Sequence, residues 1–194
     1  MTILQLDDFD LIAAARLAED AALRDSFACF SASLGTVGHP DYEHHFSCQT
    51  LYGLIDKAAG QVIGSVNLYP LPYGDRSSDS QIAPSHQGQG YGSILLAKAI
   101  GQARQLGCSR LTMFIDENNE PSWRRVDKLV AAGFACLEGK DKCRFQPGRT
   151  YRVFTRHPLQ DFHAALAVKS ERPQPARFLS PRERALQIAN SLHL

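Results

Sequence analysis

The apolar positions of this chain change period several times, and each change marks an element. Leu95, Leu96, Ala99, Ile100, Ala103 and Leu106 recur every three to four residues and stop at Gly107, which predicts a helix with one face on a sheet and a glycine C-terminal stop. Arg110 to Ile115 is nearly all apolar, as in a central strand covered on both faces. Leu51 to Asp56 and Val62 to Tyr69 flank a Lys-Ala-Ala-Gly turn and read as a hairpin. Pro70 to Ser78 reads as a loop, and Asp79 to Ala83 as a short strand ended by Pro84. Phe134 to Glu138 and Thr150 to Thr155, on either side of a polar loop with Pro147 and Gly148, form a second hairpin.

The two ends are patterned more weakly. Thr2 to Leu6 alternates and predicts a first strand, with Asp7, Asp8 and Asp10 as candidate helix caps. Leu11 to Ala22 and Ala22 to about Leu34 carry helical spacing, as two helices or one broken one, before Gly35 to Asp41 interrupts it. Glu171 to Arg177 is proline-rich, and Ser180-Pro181-Arg182-Glu183 is a capping box ahead of Ala185, Ile188, Ala189 and Leu192. A terminal helix is expected there. Its apolar face can pack on its own domain, on a second copy in a homodimer, or on a partner. The expected division is a main domain over 1–157 and an extension over 158–194 with a linker and this helix.

The junction before the best-defined helix carries the chemistry. Gln81-Ile82-Ala83-Pro84 leads into Ser85-His86-Gln87-Gly88-Gln89-Gly90-Tyr91-Gly92-Ser93, where three alternating glycines open the helix. Residues without a Cβ let backbone N–H groups approach a bound anion, and a helix N-terminus adds unpaired amides and partial positive charge. A phosphate-bearing ligand is expected. The spacing is not G-x-G-x-x-G, since Ser93 stands at the third glycine's place, and no lysine lies between Lys57 and Lys98 to close a Walker loop.

Gln87-Gly88-Gln89-Gly90-Tyr91-Gly92 resembles the Q/R-x-x-G-x-G/A signature of the GNAT acetyltransferase superfamily. Downstream, Asn118, Asn119, Ser122, Arg125, Val126, Gly133 and Phe134 resemble the family's Asn-x-x-Ser/Ala, helix, Gly-Phe block, in the style of the subgroup with ribosomal-protein N-terminal acetyltransferases. The resemblance covers about residues 50 to 155. It implies an α/β (α+β) GNAT fold: a mixed, mostly antiparallel sheet of about six to seven strands flanked by helices.

It also implies the cosubstrate acetyl-CoA and a division of labour. The amides and side chains of Gln87, Gly88, Gln89, Gly90, Tyr91, Gly92 and Ser93 would hold the pyrophosphate, and Ile82 and Ala83 would offer a strand edge to the pantetheine arm. Relatives open the sheet beyond this strand with a bulge. Asn118 or Asn119 would bond the pantetheine or simply cap a helix, and Arg125 would meet phosphate or lie solvated. Glu43, His44 and His45 would line the acceptor cleft. An alkyl ammonium with pKa about 10.4 must lose a proton before it attacks, so a carboxylate is wanted. Asp79 is the acid inside the expected strand, with Asp75 and Glu43 as competitors. Many relatives protonate the leaving thiolate with a tyrosine early in the last helix; none stands near Val126, so the Ser122 hydroxyl is the substitute. The rival reading is a non-catalytic module that binds coenzyme A for sensing or recruitment.

Composition narrows the rest. A chain of 194 residues with 44% hydrophobic content can bury one sizeable core. A formal net charge of +1 supplies no field for nucleic acid or membrane. Cys29, Cys48, Cys108, Cys136 and Cys143 form no C-x-x-C pair, and read as reduced cytoplasmic thiols. His39, Asp41, Glu43, His44 and His45 invite a metal, but adjacent imidazoles cannot share a helix face, and no metal is expected.

Overall fold

The structure is a computed structural model that describes residues 4–17, 19–24, 26–27, 51–71, 74–142 and 147–168. Its centre is a sheet of seven strands: β1 (Phe9–Ala13), β2 (Leu51–Asp56), β3 (Gln61–Pro70), β4 (Arg76–Ile82), β5 (Arg110–Asp116), β6 (Ala135–Lys142) and β7 (Pro147–Phe154). They lie in the order β1-β2-β3-β4-β5-β7-β6. Every neighbouring pair is antiparallel except β4 with β5. Among the described residues the helices with both ends defined are α1 (Ala14–Leu17), α2 (Tyr91–Gln105), α3 (Glu120–Ala131) and α4 (Leu159–Ala167), and residues 21–24 and 26–27 are also helical.

The parallel pair shapes the molecule. β4 and β5 are in register only at Arg76↔Leu111 and Ser77↔Thr112, and beyond those two steps no residue of β4 pairs with β5. Parallel strands that part at their carboxyl ends leave a crevice there. No register shift occurs between β3 and β4, so the opening comes from divergence of two strands rather than from the expected bulge. Asp75 clips the closed end of the wedge: it is buried, receives Arg110 Nε at 3.2 Å, and pairs with Arg110 Nη2 at 3.0 Å.

The core lies on the two faces of the sheet. Ile94, Leu95, Ala99, Ile100 and Ala103 of α2 pack with Leu54, Val66, Leu68, Leu111, Met113 and Val153. Leu17, Phe27, Ile55 and Val62 form a smaller cluster. Gly53 belongs with the smaller cluster, since a Cβ there would approach Leu17 Cδ1 to 2.7 Å.

Several expected boundaries change. Among the described residues the first strand is Phe9–Ala13; of the strand expected over Thr2 to Leu6, Leu4 and Gln5 are not in a strand, the residues before them lie outside the described residues, and Leu6–Asp8 forms a 3-10 turn. Asp10 therefore lies within the strand and caps nothing, because β1 finds a register on β2 that outweighs helical spacing over Leu11 to Ala13, after which α1 begins. Asp20 caps instead, its Oδ1 accepting from Ala22 N at 2.9 Å and Leu23 N at 3.2 Å. β4 begins at Arg76 inside the expected loop, since pairing with β3 continues to Pro70↔Arg76. Pro147 and Gly148 open β7 instead of staying in the turn. β5 is interior, as expected, with one face fully buried and the other partly so. α4 is an element the pattern reading left out; Pro158 starts it, Phe162 and Leu166 are buried, and Leu159 lies against Gly101 of α2. The terminal helix expected from Ser180 lies outside the described residues.

Candidate active site

Two cavities meet in the wedge. The first, about 410 Å³, is lined by Ile82, Gln87, Gly88, Gly92, Pro121 and His86 among others, at the entrance of α2. The second, about 350 Å³, is lined by Tyr69, Ser78, Asp79, Asp116 and the β5 residues Met113 to Ile115. Ser80, Asn119, Ser122 and Arg125 line both. A molecule in one cavity and a molecule in the other therefore meet over these four side chains.

The glycine loop has the geometry its sequence called for. Gly88 and Gly90 take φ of 75° and 98°, where a Cβ is costly. Gly90 is the N-cap of α2 and supplies no side-chain cap, so the first-turn amides keep their donors for something else. Among the described residues, no protein acceptor meets the N–H of Gly88, Gln89, Gly90, Tyr91 or Gly92. Gln87 N and Ser93 N are taken, by Pro84 O at 3.3 Å and Gly90 O at 2.9 Å. The side chains of Gln87 and Gln89 brace the loop, donating to Ile82 O at 3.0 Å and Ser85 O at 2.9 Å. Tyr91 packs edge-on against Phe9 and His86 and lines neither cavity. These free amides and the open space around Gly88 fit a diphosphate.

The remaining expected residues divide. Ile82 lines the first cavity, whereas Ala83 has its N–H given to Ile63 O at 2.9 Å and its carbonyl engaged by His86 N at 2.8 Å. Asn119 lines both cavities and also caps α3, its Oδ1 accepting from Ser122 N at 3.3 Å. Asn118 lines neither; its N–H donates to Asp116 Oδ1 at 2.6 Å. Asp75, a competitor for the base, is spent on Arg110 and lines neither cavity. Glu43, His44 and His45, with His39 and Asp41, lie outside the described residues. Among the described residues no group of three or more His, Cys, Asp or Glu could hold a metal ion.

Asp79 is exposed and lines the second cavity. Lost hydration raises its carboxyl above the ordinary value of 3.8, partly offset by the Ser80 backbone N–H. Its register partner across β3 is Asn67, whose buried Oδ1 has no hydrogen-bond partner. Arg125 is half-buried; loss of hydration lowers its pKa, and its Nη1 donates to Gly92 O at 3.1 Å. Tyr69 and Ser80 were not singled out from the sequence. Tyr69 reaches the Asp79 face only because β3 and β4 pair Asn67↔Asp79 and Tyr69↔Ser77, a register that local patterning does not reveal.

The profile of the "Acetyltransferase (GNAT) family" matches residues 20–129. The chain belongs to that family. Among solved structures, a chimera of Vibrio cholerae spermidine N-acetyltransferase SpeG with hSSAT is 18% identical, covers 76% of this chain and 96% of its own, and superposes with a TM-score of 0.55. A point mutant of the Vibrio cholerae enzyme gives 16% identity, 77% and 95% coverage, and a TM-score of 0.55. A Vibrio cholerae protein put forward as a ribosomal-protein-serine acetyltransferase is 22% identical over 54% of this chain, with a TM-score of 0.45, and the chain spans 63% of its length. At these identities the likeness is one of fold. No curated protein matches the sequence.

GNAT proteins as a family transfer acetyl groups from acetyl-CoA, and the open amides at the first cavity suit a diphosphate-bearing ligand. No helix among the described residues is long and apolar enough to cross a membrane.

Proposed function

We propose that this GNAT protein moves an acetyl group from acetyl-CoA to a primary amine by direct attack in a ternary complex. The amine belongs to a protein N-terminus, a lysine or a small molecule. The observation that carries this is the meeting of a loop-lined cavity and an acid-lined cavity over Ser80, Asn119, Ser122 and Arg125. When bound, acetyl-CoA supplies an acyl group on a thiolate leaving group. The chain's own residues do the rest.

The N–H groups from Gly88 to Gly92 hold the diphosphate, while Ile82 and the parted edge of β4 receive the extended amide arm. Asp79 and Asp116 make the second cavity attractive to an ammonium, and Asp79 takes its proton so that a neutral nitrogen can attack. Ser122 stands at the junction as a hydroxyl donor. Free Cys108 and Cys136 support a reducing, cytoplasmic setting.

The test is thiol release from acetyl-CoA across a panel of amines and N-terminal peptides, with the protein's own cysteines blocked first. Amine-dependent release is expected. Tight acetyl-CoA binding with release at background for every acceptor would instead favour a binding module used for sensing or recruitment.

A further inference from the structure

Ser78 is the unexplained polar group of the wedge. It lies in β4, is 8% exposed, lines the second cavity, and its Oγ has no hydrogen-bond partner. Among the described residues, the other buried side-chain atoms without a partner belong to Asn67, Arg76, Arg152 and His157, none of which lines either cavity. A hydroxyl shut away from water with nothing to bond is unfavourable unless a ligand completes it.

The pleat of β4 says which ligand that is. Alternate residues of a strand face opposite sides of the sheet. Ser78 pairs with Leu68, which packs in the core with α2; Ile82 pairs with Gly64, where an added Cβ would meet both Ile82 Cδ1 and Leu95 Cδ2 of α2. Ser78, Ser80 and Ile82 therefore form a row on the α2 side, the side of the glycine loop. Asp79 faces the other way, and so does Tyr69 of β3. The second cavity thus reaches through the sheet, with Ser78 and Ser80 on one side and Asp79 and Tyr69 on the other.

The row also has a direction. Ile82 and Ser80 line the first cavity, and Ser78 follows them into the second, just short of Ser77↔Thr112 where the wedge closes. A chain laid along this side of β4 from the glycine loop passes Ile82, then Ser80, and ends at Ser78, about 13 Å beyond Ile82. Across the wedge Met113 and Ile115 are buried and apolar, so a hydrogen bond made there is little weakened by water.

We propose that the Ser78 hydroxyl donates a hydrogen bond to the carbonyl oxygen of the acyl group and so polarises the carbon that the amine attacks. This rests on the acetyl-CoA reading above. A turn about the Cα–Cβ bond moves Oγ between staggered positions without disturbing the strand. Ser78 keeps its own proton throughout: it donates to an oxygen whose negative charge grows as nitrogen bonds to the acyl carbon and falls as the carbon–sulfur bond breaks. One proton leaves the ammonium for Asp79 before the attack and passes on to water; a second leaves the nitrogen afterwards for the departing sulfur.

The experiment is calorimetry without any amine, comparing acetyl-CoA with S-ethyl-coenzyme A, a thioether of the same length that lacks the carbonyl oxygen. The unaltered protein is expected to bind acetyl-CoA about three- to tenfold more tightly than the thioether, and Ser78→Ala to bring that ratio to about one. Thermal stability of Ser78→Ala should hold or rise, since the change removes a buried hydroxyl with no partner. The infrared band of acetyl-CoA labelled at the carbonyl carbon should lie at lower frequency in the unaltered complex than in the Ser78→Ala complex. With an accepted amine, kcat of Ser78→Ala should fall about 10²-fold.

An unaltered protein that binds both ligands equally overturns the proposal, whatever the variant does. A ratio and carbonyl band that survive in Ser78→Ala also overturn it, as does equal weakening of both ligands, which would make Ser78 a wall of the cavity. Failure of the unaltered protein to bind either ligand removes the acetyl-CoA reading together with this one.

Discussion

Arg125 lies directly on Gly92. Its Nη1 donates to the Gly92 carbonyl at 3.1 Å, and a Cβ added to Gly92 would fall 2.8 Å from Nη2 and 2.9 Å from Cζ. The third glycine of the loop is thus a seat for a side chain from α3, thirty-three positions away in sequence.

Gly92→Ala should therefore separate stability from function. Alanine is favoured over glycine in a helix by up to about 1 kcal/mol, so thermal stability should hold or rise. The guanidinium must move off the helix, and kcat/KM for acetyl-CoA should fall about tenfold. Denaturation curves and steady-state rates on the same preparation check both halves.

Asp79→Asn should lower turnover by about 10²- to 10⁴-fold, the usual range for loss of a general base. The raised carboxyl also sets the pH profile: below its midpoint Asp79 is protonated and cannot take the ammonium's proton, so the acid limb of kcat/KM should sit above the ordinary 3.8 and vanish in the variant. The stability sign is opposite to that of a paired carboxylate. Because the folded state holds the proton more tightly than the unfolded chain, stability falls as pH rises from 3.8 through the raised value, then levels. At neutral pH the asparagine variant should be at least as stable as the parent by urea denaturation.

Gly88→Ala meets no steric obstacle, since nothing lies within 4 Å of the added Cβ, but it places an alanine at φ of 75°. The cost is about 1 to 2 kcal/mol of backbone strain, relieved by reshaping the loop. The expected outcome is a modest loss of stability with a clear loss of affinity for coenzyme A and for 3′,5′-ADP alike, measured by calorimetry. Unchanged affinity for both would show that this part of the loop does not hold phosphate.

Asp75→Asn breaks the clip at the closed end of the wedge. Arg110 is partly exposed, so the ion pair is screened, and the loss should be about 1 to 2 kcal/mol in chemical denaturation. Turnover per folded molecule should change little, since Asp75 lines neither cavity. A fall as deep as that of Asp79→Asn would return Asp75 to the reaction.

Local pattern was enough for α2, for the hairpin of β2 and β3, and for a glycine loop that opens α2. Each depends on neighbours in sequence: helical spacing ended by Gly107 at φ of 78°, alternation about a turn, and glycines at φ above zero. The element order and family follow from those segments. Where the chain's own periodicity is weak, tertiary pairing decided instead. β1 is a strand because β2 offers it a register, and β4 starts at Arg76 because β3 runs on to Pro70.

The site itself belongs to the tertiary structure. Sequence spacing placed Asp79, Asn119, Ser122 and Arg125 on a strand end and a helix start, but not in one wedge. They converge because β4 and β5 part after Ser77↔Thr112 and α3 leans its Arg125 onto Gly92 of α2. The same geometry sends Asp75 to Arg110, Asn118 outside both cavities, and Tyr69 into the second. Residue types and their order are local and can be read along the chain. Which of them share a cavity depends on strand divergence and helix packing, summed over contacts between residues far apart in sequence.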